Sequence, residues 1–102
     1  MHINITARRF TLHDDLKEYV EKEVTRLERF YDGVLEADVV LGWEKRIRFI
    51  EITMTINGTV LASHDRSENM KKSVDSAVEK MERQIKKYND KKHKHRTENL
   101  EK

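Results

Sequence analysis

Basic residues recur at helical spacing in the last third of the chain. When successive residues are rotated by about 100°, as in an α-helix, one flank collects cations within an arc of about 80°. These cations are Lys80, Arg83, Lys87, Lys91 and Lys94. Asp75, Glu79 and Glu82 fall on the back and the opposite flank. Such a stripe could bind phosphates, and salt would weaken the binding because each neutralised phosphate releases a condensed cation.

An earlier segment shows the same sorting of charge. Lys22, Arg26 and Arg29 share one flank of a predicted helix, whereas Glu18, Glu21 and Glu28 share its back and other flank. Solvated helices usually mix the two signs, because opposite charges four residues apart add stability. Segregation on two helices therefore indicates a polyanionic partner, and an ordinary solvated surface is the alternative. No aromatic residue lies on these basic flanks, which favours structured RNA or a duplex backbone over a platform for single strands.

Residues suited to catalysis or metal binding are sparse. The chain has no Cys, and its three Gly are too few for a loop that cradles phosphate. We interpret Ser63 as a core residue and Ser67 as a helix cap rather than as nucleophiles. His93 and His95 fall in a polar tail that we expect to be disordered, which would be a poor setting for a metal ion. The sequence therefore predicts no enzyme activity, no cofactor and no metal.

The composition indicates one soluble domain. The chain has 102 residues, of which 36% are hydrophobic and 39% are charged, and domains typically have about 100–150 residues. No apolar run approaches the ~20 residues that a spanning helix needs, and no apolar secretory segment begins the chain. The net charge of +2 combines −3 over residues 1–79 with +5 over residues 80–102. Because the absence of Cys fits a reducing compartment, we expect a cytoplasmic protein without a membrane partner.

The elements that position the cations follow from hydrophobic periodicity. Residues 3–7 alternate as in a half-buried strand, and an apolar stripe over residues 16–31 predicts a helix opened by Thr11. Two further alternating strands follow. Trp43 in the first of them is assigned to the core, and the alternative is that a Trp at a strand end contacts a partner. Asn57-Gly58 then predicts a type I′ hairpin, whose register places Leu61 opposite Met54.

A second apolar stripe, over residues 70–88, predicts the last helix, with Ser67 as its cap. The predicted order is βαβββα, an α+β fold with a four-stranded mixed sheet and two helices packed on one face. We expect one domain over residues 1–92 and a basic, disordered tail over residues 93–102.

Several segments in order resemble one protein family. They are HINITAR, LERFYDG, VVLGWEK, ING and SVDSAVEKMERQIKKYNDKK, and they extend over about residues 1–96. This combination resembles the hibernation promoting factor family, which includes the ribosome-associated translation inhibitors. The resemblance implies the βαβββα fold and a stress or stationary-phase factor on the small ribosomal subunit. It also implies that the protein lies in the messenger channel across the A and P sites, where it excludes messenger and transfer RNA.

The resemblance also implies which residues contact ribosomal RNA. They are Lys22, Arg26, Arg29, Lys45, Lys80, Arg83, Lys86, Lys87 and Lys91. Lys86 enters this set by resemblance alone, because the helical rotation places it nearer the acidic residues. Where the family commonly has Asp-x-Tyr before the last helix, this chain has Asn69-Met70-Lys71. Long family members carry a second domain that pairs ribosomes; we expect this protein to lack it and not to dimerise ribosomes through such a domain.

Two other classes of function remain open from the residues. One is a stand-alone module that binds double-stranded RNA or DNA, and the other is a small α/β enzyme. We expect a monomer off the ribosome, with the small subunit as its partner and no small-molecule substrate.

Overall fold

The predicted order of elements is confirmed. The computed structural model describes the backbone of residues 1–31, 33 and 35–101, and side chains among them as far as residue 89. The strands are β1 (His2–Arg8), β2 (Glu36–Glu44), β3 (Ile47–Ile56) and β4 (Thr59–Ser67). The helices are α1 (Asp14–Thr25) and α2 (Met70–Glu101), and a 3₁₀ turn (Arg26–Phe30) extends α1.

The four strands form one mixed sheet in the order β1-β2-β3-β4. β1 runs parallel to β2, with Ile5 beside Val39, and the other two pairs are antiparallel. The predicted fold class is therefore correct. Of the strands, β1 and β4 are the edges, and each leaves one row of backbone groups without a neighbouring strand.

The predicted hairpin between β3 and β4 is confirmed in turn and in register. Asn57 and Gly58 have φ values of 49° and 78°, and two positive values in a two-residue loop are typical of type I′. Leu61 pairs with Met54, as predicted. This register places Met54 of β3 and Leu61 of β4 side by side on the face that the helices cover, whereas Val60 lies on the open face.

The core lies between that face and the two helices. β2 and β3 contribute alternate apolar residues such as Val39 and Ile52, which are fully or almost fully buried. Val24 of α1 and Met81 of α2 close the core from above. The buried Ser63 hydroxyl donates to the Ala77 carbonyl at 2.9 Å and so fixes α2 over β4.

Both predicted helix caps are wrong. α1 begins at Asp14 after His13, without a side-chain cap, so Thr11 lies outside the helix. At α2 the Oδ1 atom of Asn69 accepts from the Lys72 amide at 3.1 Å. Ser67 remains in β4, and its hydroxyl donates to the Asn69 carbonyl at 2.7 Å. Ser67 does not cap α2 because it pairs with Arg48 of β3 and therefore keeps an extended backbone.

The backbone of α2 continues to Glu101, beyond the end near Lys91 that the apolar stripe indicates. The side chains of residues 90–102 lie outside the described ones, and the division into residues 1–92 and 93–102 stays a prediction. Among the described residues, no helix is long and apolar enough to span a membrane.

Candidate nucleic-acid interface

The two helices are joined by polar contacts across a groove. The Tyr19 hydroxyl of α1 donates to the Asp75 carboxylate of α2. This hydrogen bond, with help from burial and the charge of Asp75, raises the pKa of Tyr19 to about 12. Further along, the Asn89 amide donates to the Phe30 carbonyl. These contacts fix the side of α2 that faces α1.

Carboxylates line the groove between the helices. Glu23 of α1 lies on one wall, and the other wall carries Asp75, Glu79 and Glu82 of α2. Arg26 and Arg29 line the same groove, and Arg26 forms an ion pair with Glu23 at 3.2 Å. The acidic row therefore separates the cations of α1 from the cations on the far flank of α2.

The outer side of α2 carries Arg83 and Lys87, and both side chains are exposed. Arg83 is 69% exposed and pairs with Glu79 on its own helix at 2.9 Å. Exposed pairs of this kind contribute only about 0–1 kcal/mol, since water and salt screen them. A phosphate can therefore replace Glu79 as the partner of Arg83 at little cost.

Lys80 is directed to the sheet instead. Its ammonium donates to the His64 carbonyl of β4 at 3.1 Å and lies 3.5 Å from the Asp65 carboxylate. Gln84, one turn further on, donates to the Ala62 carbonyl. Lys80 and Gln84 thus occupy outward-facing carbonyls of the edge strand, which limits pairing with another strand.

Asp65 is ionised more readily than a free carboxyl group. Burial acts to raise its pKa, but hydrogen bonds from the Ser76 hydroxyl and the Arg66 amide, together with the Lys80 charge, outweigh burial. The pKa of Asp65 is lowered as a result. The charge of Lys80 therefore has a partner within the fold.

The remaining predicted contacts are dispersed. Lys22 is exposed on α1, and Lys45 is exposed in the turn between β2 and β3. Lys86 pairs with Glu82 at 3.1 Å and lies 4.9 Å from the centre of the Phe30 ring, so it faces α1. The side chain of Lys91 lies outside the described residues.

The nine predicted cations therefore do not form one continuous surface among the residues that the structure describes. Four of them are in ion pairs; they are Arg26, Lys80, Arg83 and Lys86. The structure brings Arg83 and Lys87 together on one helix side and Arg26 and Arg29 together at the groove. It directs Lys80 and Lys86 to opposite sides of α2, toward β4 and α1 respectively.

One cluster was missed by the sequence analysis. Trp43 is 41% exposed rather than buried, so its assignment to the core is wrong. The Phe10 ring stacks on it with centroids 4.9 Å apart and planes 3° from parallel. The Arg48 guanidinium lies 4.1 Å from the centre of the Trp43 ring. We call Phe10, Trp43 and Arg48 the aromatic end of the sheet.

Cations surround the aromatic end. Arg8 and Arg9 precede Phe10 in the chain, while Lys45 and Arg46 follow the strand that carries Trp43. A sequence signal for this site existed, because both aromatic residues lie at strand ends beside basic residues. A strand's last side chain has fewer neighbours to cover it than one in the middle, which explains why alternation alone predicted burial.

No metal centre appears in the described part of the chain, where no three His, Asp or Glu side chains are grouped to hold an ion. The buried polar side chains there all have hydrogen-bond partners. The described surface thus consists of cations, carboxylates and one aromatic cluster.

The fold and surface define a small α+β domain with one helix-covered sheet face and cation-bearing helices. Residues 3–93 match the family described as Sigma 54 modulation protein / S30EA ribosomal protein. The chain belongs to this family, so the resemblance noted in its sequence is confirmed. The family is defined by association with the ribosome rather than by a reaction.

Individual relatives agree with this assignment. A ribosome hibernation promoting factor of Azotobacter vinelandii is 31% identical over 89% of this chain and 85% of the relative. The N-terminal domain of Thermus thermophilus Protein Y superposes with a TM-score of 0.81 at 30% identity, covering 86% of this chain and 99% of that domain. A ribosomal subunit interface protein from Coxiella burnetii gives 0.81 at 25% identity, covering 87% and 98%.

Proposed function

We propose that this protein binds the small ribosomal subunit and occupies its channel for messenger and transfer RNA. In that position it inhibits translation and promotes ribosome hibernation during stress, in the cytoplasm. Family membership supports the ribosomal partner. The name of the Azotobacter vinelandii relative supports a role in hibernation.

The observation that carries the proposal is the outer side of α2. Arg83 and Lys87 are exposed there, and the carboxylate that partners Arg83 lies on the same exposed helix. Phosphates of ribosomal RNA replace that weak pair and release condensed cations. Arg83 contacts phosphate through two parallel N–H groups, whereas Lys87 acts as a point charge.

α1 supplies a second set of contacts. Lys22 is exposed, and Arg26 and Arg29 lie at the rim of the groove between the helices. The carboxylates within the groove repel a phosphate backbone, so the RNA contacts the two basic sets on either side of them. Lys45, Lys80, Lys86 and Lys91 complete the predicted contacts with ribosomal RNA.

The mechanism is steric. A folded domain with a close-packed core excludes messenger and transfer RNA from the volume that it occupies, and no bond in a substrate is made or broken. The protein acts as a monomer, without a cofactor, a metal or a small-molecule substrate. Inhibition therefore requires only occupancy of the site.

Sedimentation tests the proposal. The pure protein is mixed with isolated small subunits, large subunits or plain duplex RNA and centrifuged through a sucrose gradient at low and moderate salt. We expect comigration with the small subunit, and much weaker retention by the duplex. Equal retention by any duplex would instead support a general double-stranded RNA-binding module.

A further inference from the structure

The aromatic end of the sheet is a site that the basic flanks do not explain. Trp43 stands at the end of β2, directly across from Arg48 of β3. Phe10 reaches it from the segment that follows β1, on the other side of β2. Aromatic surface is therefore held in place by two neighbouring strands, yet two-fifths of Trp43 remains exposed, at 41%.

A row of residues at the same end of the sheet lies on the opposite face from Trp43 and Arg48, which share the helix-covered face with Leu41 and Ile50. Arg8 of β1, Gly42 of β2, Phe49 of β3 and Arg66 of β4 are aligned by register on the open face. A side chain at Gly42 would clash with the Phe49 ring, which would lie 2.1 Å from its Cβ. Glycine thus lets Phe49 lie against the strand between two arginines.

Glu44 pairs with Arg66 at 3.1 Å, and both side chains are more than half exposed. Arg9, Lys45 and Arg46 lie in the loops that adjoin β1 and β2 rather than in the open-face row, and they are exposed as well. A ligand that presents both phosphate charge and flat rings matches this combination, because arginines engage phosphate and aromatic rings stack on bases.

We propose that the aromatic end binds an unpaired nucleotide of RNA, whose base stacks on Trp43 in place of the Arg48 guanidinium. Arg48 is half-buried, and its guanidinium also donates to the Lys45 carbonyl at 2.9 Å. The base must replace this hydrogen bond and the contact with the ring, and stacking on an indole contributes toward that exchange. The displaced Arg48 then contacts the adjoining phosphate. This inference rests on RNA as the ligand in the proposed function, and it adds an unpaired base to the phosphates bound by the helices.

The fluorescence of Trp43 tests this site directly, because the chain contains one Trp. The whole protein is titrated with a short single-stranded RNA, with a ribose–phosphate oligomer of equal charge that lacks bases, and with polyglutamate. We expect saturable quenching by the RNA alone. Equal quenching by the baseless oligomer or by polyglutamate would overturn the proposal.

Variants separate stacking from charge. Trp43→Leu should weaken binding of a labelled single-stranded RNA by about tenfold, whereas Trp43→Phe should retain most of the affinity. Val60→Ala is the control, because Val60 is also an exposed apolar residue, at 62%, but lies on the other face and beside the hairpin turn, at the opposite end of the sheet. Thermal unfolding of each variant establishes that it is folded, and unchanged binding by a folded Trp43→Leu would contradict the site.

The outcome can be distinguished from failure of the proposed function. If the helices bind the small subunit as proposed, Trp43→Leu still sediments with it at low salt, even if the oligonucleotide experiment fails. If the wild-type protein does not sediment with the small subunit, the proposed function fails. Quenching by single-stranded RNA would then still report a stacking site.

Discussion

Lys80 and Lys87 lie about two turns apart on α2, and they differ in what their ammonium groups contact. Lys80 donates to a carbonyl of β4 and lies near Asp65. Lys87 is exposed, and no ion pair to it occurs within the described part of the chain. Helical rotation places both lysines on one basic flank. Only the structure shows that Lys80 contacts β4 whereas Lys87 is left exposed.

This difference suggests two uses of positive charge on a single helix. On the side toward β4, the Lys80 ammonium donates to a backbone carbonyl of the edge strand and contributes to stability. On the outer side, charge is held only by exposed pairs such as Arg83 with Glu79, which exchange readily with other anions. Binding and stability should therefore depend on different cations of α2.

The largest effect should follow from reversing charge on the outer side. Arg83→Glu with Lys87→Glu should abolish inhibition of cell-free translation and binding to small subunits, because like charges then repel ribosomal phosphates. Thermal stability should remain nearly unchanged, since both side chains are exposed. Full inhibition by the double variant would show that another face contacts the ribosome.

A matched control uses single substitutions. Lys87→Glu should weaken binding, whereas Lys17→Glu on α1 should have little effect, although both lysines are exposed and helical. Lys17 lies on a different side of α1 from Lys22, about 140° away. The neutral pair Arg83→Gln with Lys87→Gln should lower the slope of log affinity against log salt by about two.

The next prediction compares Lys80, which should matter for stability, with Lys87, which should matter for ribosome binding. Lys80→Met should lower the free energy of unfolding by about 1 kcal/mol, because the His64 carbonyl loses its charged donor. Lys87→Met should change stability by less than about 0.5 kcal/mol and should weaken ribosome binding more than Lys80→Met does. Urea unfolding and sedimentation of the two variants provide the measurements. Equal free energies of unfolding would show that Lys80 contributes no more to stability than Lys87 does.

The sequence was sufficient to predict the fold because its strongest signals are repeated. Alternation in β2 and β3 identifies the covered face, and Asn57-Gly58 sets the register that the structure confirms. The caps failed because suitable side-chain chemistry at Thr11 and Ser67 does not by itself fix where a helix begins; α1 begins at Asp14, three residues after Thr11. In β4, Ser67 pairs with Arg48, which leaves Asn69 to cap α2.

The site was less predictable for a related reason. Helical rotation assigns Lys80 to a flank, but it contains no information about carbonyls of a neighbouring strand. In the same way, alternation gives the face of Trp43 without showing whether an element covers it. The acidic row of the groove was visible as Asp75, Glu79 and Glu82, whereas its position between two helices required their packing.

A smaller effect concerns the side of α2 that faces α1. Tyr19→Phe removes the hydrogen bond to Asp75 and should lower the free energy of unfolding by about 1 kcal/mol, with ribosome binding unchanged. The folded pKa of Tyr19 is raised from 10.0 to about 12. The stability that this bond contributes is therefore complete below the unfolded pKa and is lost as pH rises through the folded pKa.

Urea unfolding of the wild type and Tyr19→Phe at pH values on both sides of that range tests the linkage. The difference between the two proteins cancels the titration of other groups, and it should shrink at high pH. A constant difference would mean that the hydroxyl does not donate to Asp75 in solution. The contact between Tyr19 and Asp75 would then not fix the side of α2 that faces α1.

The smallest effect concerns Asp65, the carboxylate beside Lys80. Its pKa is lowered in the folded protein, so its contribution to stability is present above the unfolded pKa and is lost as pH falls through the folded one. Asp65→Asn should therefore be less stable than the wild type near neutral pH, by about 0.5 kcal/mol because the pair with Lys80 is partly solvated. The difference should close in acid. In a Lys80→Met background the same substitution should cost less, since the lysine charge is gone, and identical costs in both backgrounds would show that Lys80 and Asp65 do not interact.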